Sequence, residues 1–133
     1  MINRVIILGR MGKDPEERHL PTGGAVCDFT VATSEKRKDK GGQVKETTEW
    51  HNIVAFGKTA EAIAKYSGKG LLIAVEGRLR YESWEKEGVK HYKTKIIADK
   101  VQFVEYKKRD DQDQRTDYRE QPQAPESDES IPF

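Results

Sequence analysis

The chain has 133 residues, 35% hydrophobic and 35% charged, enough for one small domain and an appendage. No apolar run approaches the roughly 18 residues of a membrane span, and "VIILG" is too short for a secretory signal. One cysteine and three scattered histidines give no internal disulfide and no metal-ligand spacing, so a reducing cytoplasm is the expected compartment.

The body reads mainly as strands. "INRVIILGRM" is β-rich and stops at Gly12. "KDPEERHLPTGG" carries turn chemistry in Pro15, Pro21, Gly23 and Gly24. "AVCDFTVATS" alternates, and Ala25, Cys27, Phe29 and Val31 form its expected core face. Cys27 is then a small buried hydrophobe instead of a reactive thiol. "EKRKDKGGQVKE" is a polar hairpin arm around Gly41 and Gly42, leading into a third strand, "TTEWHNIVAF".

"GKTAEAIAKYSGKG" is the one good helix candidate, with Thr59, Ile63 and Tyr66 at helical spacing and Gly68 placed to end it. "LLIAVEGRLRYESW" is a fourth strand, with Leu71, Ile73, Val75, Leu79 and Tyr81 on its expected core face. "EKEG" is a turn, and "VKHYKTKIIADKVQFVEY" a fifth strand, broken near Ala98 and Asp99. Five strands with one helix between the third and fourth predict an all-β fold, the five-stranded Greek-key barrel of the OB type, over residues 1–107.

Residues 110–133 contain eight acids and two arginines, net −6, against +7 for residues 1–109. Their Gln, Asp, Glu, Pro and Ser cannot bury enough apolar area to offset ordering entropy. Residues 108–133 are therefore expected to be a disordered acidic tail. A basic body with an acidic tail points to an anionic partner for the body.

Catalysis finds little footing. There is no G-x-S-x-G, P-loop or H-E-x-x-H. "GKTAE" lacks the upstream glycine of a phosphate loop, and the carboxylates Glu16 and Glu17 sit in expected turns among arginines. The chain is read as a non-enzyme without cofactors or metals.

The stronger signal is aromatic side chains interleaved with bases. Trp50 and Phe56 are six apart and share a face of their strand, opposite His51, Ile53 and Ala55. Arg78, Arg80 and, by parity, Trp84 share the non-core face of the fourth strand. Singly, each aromatic reads more readily as a barrel-core residue, and the arm's charges as a solvated loop. Together, with Lys36, Arg37, Lys38, Lys40 and Lys45 on the arm and Lys58 beyond, they suit single-stranded nucleic acid. Flat rings stack on unpaired bases, and cations follow the phosphates. The alternative of a different class is an OB-fold module that binds RNA or protein, as in primosome relatives.

The stretches "NRVIILGRMGKDPEERHLPTGGAVCDFTVATSE", "TEWHNIVAFGKTAE", "GKGLLIAVEGRLR" and the terminal "DESIPF" resemble the bacterial and phage single-stranded DNA-binding proteins of the homo-oligomeric OB-fold type. The resemblance implies sequence-independent coating of single-stranded DNA in replication, recombination and repair, at the nucleoid or replication fork. Trp50, Phe56 and Trp84 match base-stacking positions. Lys40, Lys58 and Lys69 match basic positions along the DNA path. His51 matches a subunit-interface position of a homotetramer. The tip, Asp128, Glu129, Ser130, Ile131, Pro132 and Phe133, matches a docking peptide for replication, repair and recombination proteins. Arg37 stands where the family often has an aromatic stacker. Ser130 stands where an acid is common, and the tail lacks a long Gly/Gln-rich linker.

Overall fold

The computed structural model describes residues 1–107, and the acidic segment 108–133 with its tip lies outside the described residues. Along the chain run β1 (Val5–Met11), β2 (Glu16–His19), β3 (Ala25–Lys38), β4 (Val44–Phe56), α1 (Gly57–Tyr66), β5 (Leu72–Lys86) and β6 (Val89–Phe103). Five of the strands close a barrel. β1 pairs with β5, β5 with β6, β6 with β4 in parallel, β4 with β3, and β3 returns to β1 through Arg10↔Ala32 and Met11↔Val31. This is the expected OB barrel, with its helix between the third and fourth barrel strands.

The strands alternate because only one face of each meets the interior. Ile7 and Met11 of β1 point inward, as do Cys27, Phe29 and Val31 of β3 and Ile53 and Ala55 of β4. Ile73 and Val75 of β5 and Ile96 and Ala98 of β6 complete the cluster. α1 adds Ala60 and Ile63, so its buried stripe is set by those two residues, with Thr59 and Tyr66 only half-buried. The helix ends at Tyr66, two residues before Gly68. Ser67 is the cap, extended in backbone, and its N–H donates to the Ile63 carbonyl at 3.0 Å. Cys27 is fully buried, and burial, with help from the Glu17 and Asp28 carboxylates, pushes its thiol up to about 11. It is a packing residue at neutral pH.

Two expectations need correction. The segment Glu16–His19 was expected to be turn, yet it forms β2, paired antiparallel with Ala25–Asp28 on the free edge of β3. Its four residues are all exposed, so hydrophobic alternation could not reveal it. Backbone pairing with an available edge decided the conformation. Tyr81 was assigned to the core face of β5, yet it is 74% exposed. Its parity is that of Ile73 and Val75, but at Tyr81 the strand has left the barrel for the arm, where its ladder partner is Thr94.

β5 and β6 stay paired far beyond the barrel, to Lys86↔Val89, and β3 and β4 likewise to Lys38↔Val44. These are two long hairpin arms. Near the root of the second, the register shifts. Glu76 faces Lys100 but Gly77 faces Ala98, so Asp99 is an unpaired extra residue. The backbones are tight here, since a Cβ on Gly77 would sit 2.0 Å from the Ile97 carbonyl oxygen. At the barrel's other end Glu105 acts as a clasp. Its Oε1 accepts from the Leu72 N–H at 3.0 Å and from Arg10 Nη1 at 2.8 Å, which holds its carboxyl below the usual range.

Candidate nucleic-acid interface

The outer surface of β4 presents Trp50, Asn52, Val54 and Phe56 on one side, as period-two geometry requires. Their antiparallel partners on β3 are Ala32, Thr30, Asp28 and Val26. On the other flank, Val54 pairs with Ile97 of β6. Across β6, the register with β5 sets Arg78 opposite Ile97, Arg80 opposite Lys95 and Trp84 opposite His91. Directly paired residues point to the same face. One outer surface therefore runs from β3 through β4 and β6 to β5. Val26, Val54 and Ile97 form a small buried apolar cluster within it.

The three aromatics are not core. Trp50 is 60% exposed, Phe56 49% and Trp84 45%. Each is held at its base by the sheet while much of its ring faces solvent. Trp50 is seated by Gly12, where a Cβ would meet its indole Cζ3 at 2.5 Å and the Thr30 Oγ1 at 2.6 Å. The missing side chain at Gly12 is what lets the indole lie down beside β1. Phe56 ends β4 and caps α1 with extended backbone, φ −126° and ψ 156°. Trp84 lies on the second arm and stacks on His91, with ring centroids 5.5 Å apart and planes 18° from parallel.

On this surface lies a groove of about 340 Å³, lined by Lys13, Arg18, Thr30, Asn52, Lys93 and Lys95 among others. Glu16 and Asp28 also line it. Arg18 is turned onto Asp28 at 3.1 Å and Lys13 toward Glu16 at 3.6 Å, while Lys95 Nζ lies 3.1 Å from Glu82.

The basic residues expected from the sequence fall into three groups. Lys36, Arg37, Lys40 and Lys45 belong to the first arm. Arg37 Nε donates to Glu35 at 2.7 Å, Lys45 Nζ is 3.8 Å from Asp39, and Lys36 stands opposite Glu46. Lys40 is in the arm's turn, which Asp39 organises by accepting from the Gly41 and Gln43 N–H groups, both at 2.9 Å. Arg78 and Arg80 lie on the outer surface of the second arm's root. Arg78 Nη1 reaches the bulged Asp99 at 2.7 Å, while Arg80 makes no ion pair among the described residues. Lys58 opens α1. Lys69 lies in the following loop, where its backbone N–H donates to Asp14 at 2.9 Å. Both are exposed, and both lie off the paired strands that carry Trp50 and Trp84. His51 is half-buried on the opposite face of β4, its Nε2 2.8 Å from the Thr33 hydroxyl.

Most of these ion pairs are solvent-exposed, with only the Lys95 and Asp39 side chains more covered, and an exposed pair contributes little, about 0–1 kcal/mol. A phosphate can displace their carboxylates at small cost. Exposed rings held at fixed positions beside exchangeable cations can do two things: stack flat apolar groups and bind a chain of anions.

The sequence reading missed Lys93, Lys95, Asn52, Thr30 and Gly12. A signal for the lysines existed. Glu87 and Gly88 form a two-residue turn with φ of 52° and 77°, as hairpin geometry favours. That turn forces Trp84 opposite His91, Glu82 opposite Lys93 and Arg80 opposite Lys95. For Gly12 no local signal existed, because its ring neighbour is 38 residues away.

The model of the single-strand binding protein family matches residues 2–104. This chain belongs to that family. Among solved structures, the single-stranded DNA binding protein from Thermus aquaticus, in a deletion and R190A mutant form, is similar at 34% identity with a TM-score of 0.70. The match covers 78% of this chain and 51% of that one, about half its length. A Plasmodium falciparum SSB in complex with ssDNA is similar at 28% identity and a TM-score of 0.73, covering 79% of this chain and 97% of that one. This chain carries the OB barrel. Among the described residues no helix is long and apolar enough to cross a membrane.

Proposed function

We propose that the chain binds single-stranded DNA without sequence preference, coating exposed strands during replication, recombination and repair. The observation that carries this reading is the exposure of Trp50, Phe56 and Trp84 on one outer surface, interleaved with Lys93, Lys95 and Arg80. Unpaired bases offer π-faces to such rings, each stack contributing about 1–3 kcal/mol whatever the base. Duplex bases are already stacked and cannot reach them. Lys36, Arg37, Lys40, Lys45, Lys58, Lys69 and Arg78 extend the cationic track. The ssDNA complex of the Plasmodium relative supports the same ligand for this chain.

The protein works as a homo-oligomer, a tetramer by family resemblance, with His51 at a subunit contact. Support comes from β1, whose Ile6 and Leu8 are 72% and 57% exposed on its outer face. A monomer has little reason to leave such a strand face uncovered. The segment Asp128 to Phe133 captures partner proteins: the Ile131 and Phe133 side chains fit an apolar pocket with a basic rim, and Asp128 and Glu129 steer toward it. The activity is non-enzymatic and belongs in the cytoplasm, at the nucleoid.

The test is a titration of intrinsic tryptophan emission with oligo-dT and with a duplex of equal length at moderate salt. Oligo-dT should quench the emission and bind much more tightly than the duplex. Unquenched emission, or equal affinity for both, sinks the reading.

A further inference from the structure

On the second arm the Trp84 ring does not stand alone. Its directly opposite partner across the β5–β6 ladder is His91, and the two rings stack at 5.5 Å and 18°. His91 is exposed, and Trp84 still leaves 45% of its surface free. No residue of another strand pairs with this part of the arm, since β4 meets β6 only at Ile96 and Ile97.

We propose that His91 is a positioning residue for Trp84 that also makes DNA binding proton-dependent: its ring holds the indole ready for a base, and its imidazolium form adds a phosphate contact. The inference rests on the proposed binding of single-stranded DNA. Three physical arguments carry it.

First, a cross-strand aromatic pair restricts the indole before a base arrives, so less side-chain entropy is lost on stacking. Second, imidazole is the side chain that gains charge between pH 8 and 5. An imidazolium stacked on indole gains a cation–π interaction, so the proton strengthens the platform it sits on. Third, the charged surroundings favour an anion. On the shared face, His91 is flanked by Lys93 on β6 and by Lys86 and Glu82 on β5. Glu82 is engaged with Lys95 at 3.1 Å. Glu85 and Lys90 alternate onto the other face of the arm. A phosphate following a base stacked on Trp84 would meet two lysines and, at low pH, a third cation.

The two functions separate by substitution. His91→Phe keeps the stack and removes the proton. His91→Gln removes both. The chain has two tryptophans, so in a Trp50→Phe background emission reports Trp84 alone. In DNA-free Trp50→Phe protein, lowering the pH from 8 to 5.5 should quench Trp84, because an adjacent imidazolium quenches indole. Trp50→Phe/His91→Gln should show no such quench.

With Trp50 intact, oligo-dT affinity at pH 8 should be unchanged in His91→Phe and about two- to five-fold weaker in His91→Gln, the worth of a cross-strand pair. At pH 5.5 the parent protein should bind more tightly, with a salt slope steeper by about 0.7, one more phosphate on a single strand. Both variants should lose that increment, which sets His91 apart from His19 and His51. A parent-like pH response and salt slope in His91→Gln, or a pH-independent Trp84 emission in the Trp50→Phe protein, overturns the inference while leaving the proposed function standing. A parent protein that binds oligo-dT at neither pH overturns the proposed function itself and the inference with it.

Discussion

The two hairpin arms are built alike and equipped differently. Both prolong antiparallel pairs beyond the barrel, the first to Lys38↔Val44 and the second to Lys86↔Val89. From Thr33 to Glu49 the first arm has no aromatic residue. Its cations are matched with acids on the same arm, Arg37 with Glu35 and Lys45 with Asp39. The second arm carries Tyr81, Trp84, His91 and Tyr92, with Trp84 and His91 stacked. One arm is thus suited to an adjustable electrostatic grip, the other to stacking. The difference teaches that a shared backbone device does not fix the kind of binding energy. Side chains on the same ladder do.

Removing the stacking side should have the largest effect. Trp84→Ala on the second arm, or Trp50→Ala at the barrel, should each weaken oligo-dT binding by about 1–3 kcal/mol, roughly 5- to 150-fold, with the salt slope unchanged. Fluorescence anisotropy of labelled oligo-dT measures both quantities. A changed slope with unchanged affinity at high salt would erase the distinction between the arms.

Neutralising the first arm should act differently. Lys36, Arg37, Lys40 and Lys45 replaced together by Gln should reduce the salt slope by up to about 2.8, at about 0.7 per phosphate contact on a single strand. The loss should be severe at low salt and slight at high salt. If it persists unchanged at high salt, the arm contributes more than electrostatics.

Gly12→Ala sharpens the comparison from the barrel side. The new methyl would collide with the Trp50 indole, so the ring should swing away and binding should fall by about 1 kcal/mol, part of one stack. Trp50 emission in DNA-free protein should shift at the same time. Unaltered emission with weakened binding would point to the backbone instead of the ring. The smallest effect should come from Glu35→Gln, which frees Arg37. Affinity should rise by less than about 1 kcal/mol at low salt, since an exposed pair is worth no more, and the same anisotropy assay would detect it.

Much of this was legible in the chain. The alternation of Ala25, Cys27, Phe29 and Val31 told the inner face of β3 from the outer, and the six-residue spacing of Trp50 and Phe56 put both rings on one side of β4. Period-two patterns survive translation into structure because each side chain must choose between interior and solvent. The sequence was silent where that choice does not arise. β2 is exposed on all four residues, so edge pairing alone placed it. Tyr81 has core parity but lies where the barrel has ended, and parity carries no information about length. Lys93 and Lys95 became part of the groove only once the Glu87–Gly88 turn set their register against β5.

The sequence by itself determined the order of the five barrel strands, the helix position, the inward faces within the barrel and the division between a basic body and an acidic tail. These follow from local periodicity, turn residues and charge. Tertiary structure alone decided that Trp50, Phe56 and Trp84 stand outside the core. A barrel closes around a limited volume, already filled by residues such as Ile53, Ile73 and Phe29. Gly12 beneath Trp50 and His91 beside Trp84 are likewise products of closure and pairing, which bring together residues that no local pattern connects.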